Sequence, residues 1–233
     1  MTRLTPAEGH AQIDALTRGI RLPMKPMSRE HLRLLAEGIR RAWEEVKTTQ
    51  AGWSKAAAEA SLNAFMETEL KRLRQTDPVW RIFIAAVTRG GETMNYDGTL
   101  IEKRPDLSLE LSGGRPFPLV VECKLIDGPN SKTPSLYCSE GIARFVRGDY
   151  AWAVQESFML AYVRDGSACD CCLFPLLAPP DGAASSPYGT VGLPDHDDSG
   201  AGLSIHDRSF RYPTKAAPED VPGPITLWHL WLD

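Results

Sequence analysis

The chain has 233 residues, 42% of them hydrophobic and 24% charged, a composition that is typical of a globular domain and excludes a largely disordered chain. No apolar run approaches the ~20 residues of a membrane-spanning helix, and the N-terminus lacks a signal-peptide core, so we expect a cytoplasmic protein without a membrane partner. The net charge of −4 counts against strong unaided binding to nucleic acid, which depends on Lys and Arg.

The first 50 residues are predicted to form a helical extension to a single domain that spans residues 51–233. Residues 1–26 are predicted to be irregular, because Pro23 and Pro26 interrupt any long helix. The next segment begins with Ser28, whose side chain can cap a helix. Apolar residues then recur at helical spacing, at Leu32, Leu34, Leu35, Ile39, Trp43 and Val46.

A second helix is predicted from Trp53 to about Arg74. Its buried stripe is drawn by Leu62, Phe65, Met66, Leu70 and Leu73. Glu59 and Glu69 share this stripe by helical spacing, whereas Glu67 points away from it. Sequence geometry does not separate Glu59 from Glu69 as an acid that faces the rest of the domain.

Three strands are predicted to follow this helix. The first covers the apolar run of residues 79–87, and the other two cover residues 106–111 and 119–126. Residues 112–116 contain two glycines, which supply the backbone angles that a hairpin turn needs. The sequence therefore predicts a helix followed by a three-strand meander.

Alternation along the second and third strands sends Asp106, Glu122 and Lys124 to one face of the sheet. Two desolvated carboxylates repel each other unless a cation compensates them. Carboxylate oxygens from Asp106 and Glu122, with the backbone carbonyl of Cys123, suit Mg²⁺, with Mn²⁺ as a substitute. Lys124 would then orient an attacking water or stabilise charge that develops on a phosphate.

This pattern, Pro105-Asp106 followed by Glu122-Cys123-Lys124, resembles the core motif of the PD-(D/E)xK nuclease superfamily. The resemblance covers about residues 55–165 and implies a restriction-endonuclease-like α/β fold, with a mixed central sheet flanked by helices. It also implies metal-dependent hydrolysis of phosphodiester bonds in nucleic acid, with DNA as the expected substrate. Members commonly place a glutamate on the first core helix, and the likeness of residues 59–63 to that helix opening favours Glu59 as the fourth catalytic residue.

Residues 141–163 resemble a stretch found in defence-associated members of the superfamily. This implies anti-phage defence or restriction beside a partner protein, such as an ATPase or helicase, that selects the target; a homo-oligomer is also compatible. Arg144 and Arg147 lie on one helical face and either bind a phosphate or form a solvated basic edge. Two alternatives stay open: a catalytically silent subunit that binds nucleic acid or protein, and an effector that a nucleotide or the partner switches on.

The remaining predictions concern the cysteines and the C-terminal third. An odd number of cysteines without repeated CxxC pairs indicates reduced thiols, and residues 169–172 suggest either a zinc site or a thiol-lined strand edge. Residues 173–177 are predicted to be a short strand, and residues 179–202 a loop whose acidic stretch at 195–198 is solvated rather than metal-binding. Residues 225–232 alternate as a closing strand, in which His229 is expected to be a packed or surface histidine rather than a general base.

Overall fold

The computed structural model of the chain describes residues 3–50, 56–179, 186–217 and 219–233. The helices are α1 (Pro6–Leu16), α2 (Arg29–Thr49), α3 (Glu59–Thr76), α4 (Pro78–Phe83), α5 (Pro134–Tyr137), α6 (Ala143–Val146) and α7 (Phe174–Leu177). The strands are β1 (Ile84–Arg89), β2 (Leu107–Leu111), β3 (Leu119–Ile126), β4 (Glu156–Val163), β5 (Asp195–His196), β6 (Gly202–His206) and β7 (Ile225–Leu232). In these ranges, no helix is both long enough and apolar enough to cross a bilayer.

The strands form one mixed sheet in the order β1-β2-β3-β4-β7-β6-β5. The meander of β1, β2 and β3 is antiparallel, and β3, β4 and β7 run parallel to one another. Strands β6 and β5 complete the sheet with antiparallel pairing. The predicted α/β class with a mixed central sheet flanked by helices is therefore confirmed.

The two faces of the sheet are covered by different helices. Val121 and Cys123 of β3 pack into the core that contains α2 and α3. The other face of the sheet packs against α5, α6 and the π-helical turn Cys138–Ile142 that joins them. Because side chains alternate along a strand, Glu122 and Lys124 belong to this second face.

The N-terminal segment is not irregular as predicted, because it contains α1. Thr5 Oγ1 accepts a hydrogen bond from the Glu8 amide at 3.4 Å, and the Glu8 carboxylate accepts one from the Thr5 amide at 2.9 Å. This reciprocal capping box, with Pro6 in the first turn, begins the helix. Pro23, which motivated the prediction, lies beyond the end of α1 and does not interrupt it.

The predicted strand at residues 79–87 is wrong over its first half, which forms α4. Asp77 Oδ1 accepts hydrogen bonds from the Val79 amide at 2.8 Å and the Trp80 amide at 2.9 Å, and Pro78 occupies the first turn. This helix cap is local chemistry that outweighs the β propensity of the apolar run. The strand itself begins only at Ile84.

The predicted short strand at residues 173–177 is also wrong. These residues end a π-helical turn (Cys169–Leu173) and form α7, so the cysteine cluster lies in a turn and not at a strand edge. Leu173 and Leu177 are both buried, and their four-residue spacing places them on one face of a helix. By contrast, the closing strand at Ile225–Leu232 is confirmed as β7.

Candidate active site

Asp106 and Glu122 face each other across the β2–β3 ladder. Leu107 pairs with Val121, so one further step of the antiparallel register brings Asp106 opposite Glu122. The Cys123 amide donates to Asp106 Oδ2 at 2.8 Å, which fixes the aspartate against β3. The register of two neighbouring strands thus brings together two acids that are 16 residues apart in the sequence.

Lys124 is surrounded by oxygen atoms from four residues. Its Nζ lies 2.7 Å from Glu122 Oε1 and 3.0 Å from the Cys123 carbonyl oxygen. It also lies 3.8 Å from Glu59 Oε1 and 3.9 Å from Asp106 Oδ2. Three carboxylates and one carbonyl therefore converge on a single cationic nitrogen whose side chain is 12% exposed.

The structure shows which of the two candidate α3 glutamates lies in the cluster, a choice that sequence geometry could not make. Glu59 is the first residue of α3, and its Oε2 accepts a hydrogen bond from the Leu125 amide at 2.7 Å, beside Lys124. Glu69 lies farther along α3, where it pairs with Arg72 at 2.6 Å. Of these two acids, Glu59 is the one that belongs to the cluster around Lys124. The predicted start of this helix, at Trp53, lies outside the described residues, but the prediction is wrong for residues 56–58, because the backbone of Ala58 is extended and the helix begins only at Glu59.

The Glu122 carboxylate is fully buried and is held by three donors. Lys124 and Arg144 Nη1, the latter at 2.9 Å, both contact Glu122 Oε1, while the Tyr150 hydroxyl donates to Glu122 Oε2. Arg144 Nη1 also lies 3.1 Å from the Tyr150 oxygen, so these side chains form one network. Arg147 is 57% exposed and lies 3.8 Å from Asp149, away from Glu122. The two arginines of α6 and its C-terminal cap therefore have different roles.

Burial and charge shift the protonation equilibria of this cluster. Burial, followed by the nearby Glu122 carboxylate, raises the pKa of Asp106 to about 6. Burial alone would lower the pKa of Lys124, but the Glu122 and Asp106 carboxylates outweigh it and raise that pKa above its ordinary value. The pKa of Tyr150 is raised by burial and by Glu122. Lys124 therefore remains a cation and Tyr150 a hydrogen-bond donor at neutral pH.

The oxygen atoms of the cluster are of the type that a hard divalent cation prefers, but few of the side chains that carry them lie close enough together to hold one. In the described ranges, no group of three or more His, Cys, Asp or Glu side chains is close enough together to hold a metal ion. Asp106 and Glu122 with the Cys123 carbonyl still form a donor set that suits Mg²⁺, which retains several waters and needs only one or two carboxylates. The Cys123 thiol takes no part, because it is buried in the core beside α2 and α3.

Sequence reasoning missed three residues that support the cluster. Asn63 Nδ2 donates to Asp106 Oδ1 at 2.9 Å, and the Tyr162 hydroxyl donates to Asn63 Oδ1 at 2.9 Å. Asn63 lies one helical turn after Glu59, a spacing that could have indicated a shared face. Tyr150 and Tyr162 carry no such signal, because only tertiary packing brings their hydroxyls to the site.

The acidic stretch at residues 195–198 belongs to a different part of the molecule. Asp197 and Asp198 pair with Arg33 on α2 at 2.5 and 2.7 Å, and His196 contacts Asp170. These contacts tie the stretch to α2 and to the turn after β4. The prediction that this stretch is entirely solvated is therefore wrong for Asp197, whose side chain is fully buried.

The fold and the cluster together define an α/β protein with a buried acid–lysine centre at the junction of β2, β3 and α3. No family model, curated protein or solved structure matches the chain significantly.

Proposed function

We propose that the chain is a metal-dependent nuclease of the PD-(D/E)xK superfamily, with a restriction-endonuclease-like core that hydrolyses phosphodiester bonds in DNA. The observation that carries the proposal is the convergence of Glu59, Asp106 and Glu122 on Lys124 Nζ, at 3.8, 3.9 and 2.7 Å. The order of α3, the β1–β2–β3 meander, the α5–α6 segment and β4 resembles the helix, meander, helix and strand that the superfamily implies, with the short helix α4 as an addition between α3 and β1. A motif of two acids and a lysine is nonspecific by itself, but its assembly around one point in this order of elements supports the assignment.

Each residue of the cluster has a role in this proposal. Asp106, Glu122 and the Cys123 carbonyl would hold Mg²⁺ or Mn²⁺, and the bound ion would acidify a water and stabilise charge on the scissile phosphate. Lys124 donates hydrogen bonds that orient the attacking water and the phosphate oxygens. Glu59 keeps the Leu125 amide and the lysine in place, since its two oxygens contact both.

The exposure of the side chains sets the direction from which substrate arrives. Glu122 is completely buried, whereas the Asp106 and Glu59 side chains are 24% and 33% exposed. The phosphodiester backbone therefore approaches from the side of Asp106 and Glu59. Arg144 is 37% exposed and uses one nitrogen on Glu122, which leaves other N–H groups of its guanidinium for a phosphate.

The net charge of −4 favours a nuclease that depends on a partner for its target. A cytoplasmic ATPase or helicase that loads the chain onto DNA would supply the affinity that an acidic surface lacks. Within this proposal the biological role is restriction or anti-phage defence.

A second candidate function is a catalytically silent subunit that binds nucleic acid or protein. It is favoured by the saturation of Glu122, whose oxygens already contact Lys124, Arg144 and Tyr150. A carboxylate with three donors serves structure without any metal. Measurement of metal binding separates the two candidates, because only the nuclease requires a cation at these oxygens.

The decisive experiment incubates the purified chain with supercoiled plasmid, single-stranded DNA and RNA in Mg²⁺, Mn²⁺ or Ca²⁺. We expect cleavage in Mg²⁺ or Mn²⁺. The cleavage rate should be at least two orders of magnitude lower in Asp106→Asn and in Lys124→Ala. Glu69→Gln is the matched control, because it removes an acid from the same helix outside the cluster and should cleave normally. Equal cleavage by all variants would reject the nuclease assignment.

Metal binding is measured on the same variants by calorimetry, with thermal unfolding as a check on folding. We expect wild type and Glu69→Gln to bind Mn²⁺ and Asp106→Asn to bind it at least tenfold more weakly. A wild-type chain that binds DNA but no divalent cation would support the silent subunit instead.

A further inference from the structure

Two adjacent cysteines lie side by side on the surface, in the π-helical turn that follows β4. Cys171 is exposed and Cys172 is half-buried, and their Sγ atoms are 3.2 Å apart. The Cys172 amide donates to the Ala168 carbonyl at 3.0 Å, which closes the turn and holds both residues in it. Two thiols on neighbouring residues are thus held at contact distance where solvent reaches them.

All five cysteines of the chain lie in the described ranges. The other three are unreactive by comparison. Cys123, Cys138 and Cys169 are buried. Burial raises the pKa of the Cys138 and Cys169 thiols to about 12 and that of Cys123 well above its ordinary value. Because the thiolate is the reactive form, these three remain unreactive in the folded chain.

Cys172 differs from them in both access and charge. A hydrogen bond from the Cys171 thiol, followed by one from the Ala168 backbone, lowers the pKa of the Cys172 thiol below its ordinary value. A thiolate with a second thiol 3.2 Å away combines an attacking sulfur with a resolving sulfur. This combination favours reversible oxidation of the two thiols to a disulfide.

We propose that Cys171 and Cys172 form a redox modification site, at which a hydroperoxide converts the two thiols into a vicinal disulfide. The Cys172 thiolate attacks one peroxide oxygen, the O–O bond breaks, and the departing oxygen takes a proton from solvent, which leaves a sulfenic acid on Cys172. The Cys171 sulfur then attacks the sulfenic sulfur, and its thiol proton leaves with the displaced hydroxide as water. Overall, both sulfurs are oxidised and the peroxide is reduced, to two waters when it is hydrogen peroxide.

The geometry makes this disulfide reversible rather than structural. Consecutive Cα atoms lie about 3.8 Å apart across a trans peptide, which is closer than the roughly 4.4–6.8 Å of ordinary disulfides. A bond between neighbouring residues is therefore strained, and strained, exposed disulfides are the easily reduced ones. Dithiols therefore reduce this disulfide again, whether or not the chain is a nuclease.

The test treats the folded chain with hydrogen peroxide, then with N-ethylmaleimide, and reads intact and peptide masses. Untreated protein should take up maleimide at Cys171 and Cys172, and peroxide-treated protein should take up none and weigh two hydrogens less. Dithiothreitol should restore both labels. In Cys171→Ser, which lacks the resolving thiol, peroxide should add oxygen to Cys172 instead of removing hydrogens.

Two results would overturn the proposal. One is wild-type protein that gains oxygen atoms at Cys171 or Cys172 without losing hydrogens. The other is a product in which these cysteines join two chains, because the adjacent thiols would then have failed to react with each other.

Discussion

At the scale of single residues, Glu122 is the group on which the cluster depends. Its side chain is fully buried, and an unpaired carboxylate there would cost several kcal/mol. Lys124, Arg144 and Tyr150 offset that cost by donating to its oxygens. Removal of one donor leaves part of the charge without a partner, so these contacts should be measurable in the free energy of unfolding.

Arg144 and Arg147 provide a matched pair for this measurement. Arg144→Ala removes a guanidinium that lies 2.9 Å from buried Glu122, and we expect a loss of about 1–2 kcal/mol in the free energy of unfolding. This value is below the ~3–5 kcal/mol of a fully buried pair because Arg144 is 37% exposed. Arg147→Ala removes an exposed side chain and should stay within about 0.5 kcal/mol of wild type.

Urea unfolding at neutral pH measures both variants, with an unchanged denaturant slope as the sign that the unfolded state is the same. Similar losses in the two variants would show that Arg144 contributes no more than a surface charge.

At the scale of elements, the helices on one face of the sheet are held by a close approach between α2 and α4. Gly38 of α2 lies against the buried Trp80 ring of α4, and a Cβ built on Gly38 would lie 2.1 Å from Trp80 Cζ3. Only a residue without a side chain permits this contact. The glycine at position 38 therefore lets α4 pack directly against α2.

Gly38→Ala tests this contact by the sign of its effect. In an exposed helix, alanine would stabilise by about 1 kcal/mol relative to glycine. Here the tryptophan must move, so we expect a destabilisation of about 1–3 kcal/mol, read as a lower midpoint of thermal or urea unfolding. Gly91→Ala is the control, because its Cβ would meet nothing closer than Thr88 Oγ1 at 3.9 Å. A more stable Gly38→Ala protein would contradict the described packing.

The element scale also explains which predictions from sequence succeeded. The meander of β2 and β3 follows from strict alternation and a glycine turn, so the opposed positions of Asp106 and Glu122 could be predicted. The helix at Pro78–Phe83 could not be predicted from the apolar pattern, because short apolar runs suit both helix and strand and only the Asp77 cap decides between them.

Residues that act through tertiary contacts could not be predicted from the sequence. The resemblance favours Glu59 over Glu69, but the position of Glu59 Oε1 beside Lys124 Nζ follows only from the folded structure. Tyr150 reaches Glu122 across 28 positions of sequence, and no periodicity encodes such a contact. Local patterns predict faces of elements, whereas the partners across faces depend on how elements pack.

At the scale of the whole molecule, a buried network of hydrogen bonds joins the sheet to α5. The Tyr188 carbonyl can only accept, so His206 Nδ1, 2.9 Å away, carries the hydrogen and His206 Nε2 accepts from Ser204 Oγ at 2.6 Å. Ser204 Oγ in turn accepts from His229 Nε2 at 2.7 Å, and the Tyr137 hydroxyl donates to His229 Nδ1 at 2.8 Å. All four hydrogen bonds of this network form when both histidines are neutral.

This arrangement predicts a loss of stability in mild acid. Burial lowers the pKa of His206 to about 4 and that of His229 well below its ordinary value. Between about pH 6.5 and pH 4 the unfolded chain therefore binds protons that the folded chain excludes, so stability is full above pH 6.5 and falls as the pH is lowered. For His206 alone the loss is about 2 kcal/mol at pH 5, which follows from ~1.4 kcal/mol for each pH unit below 6.5.

Other groups titrate in the same range, so the prediction is tested as a difference between two proteins. Asp106, whose pKa is raised to about 6, acts in the opposite direction, because its folded form retains a proton that the unfolded chain has released. In His206→Asn the amide can still donate to the Tyr188 carbonyl, but the titration is removed. Urea unfolding at pH 7 and pH 5 should show a drop in stability that is about 2 kcal/mol smaller in the variant than in wild type. Equal losses of stability in the two proteins would mean that His206 titrates normally in the folded protein. The buried network of hydrogen bonds would then tolerate a charge.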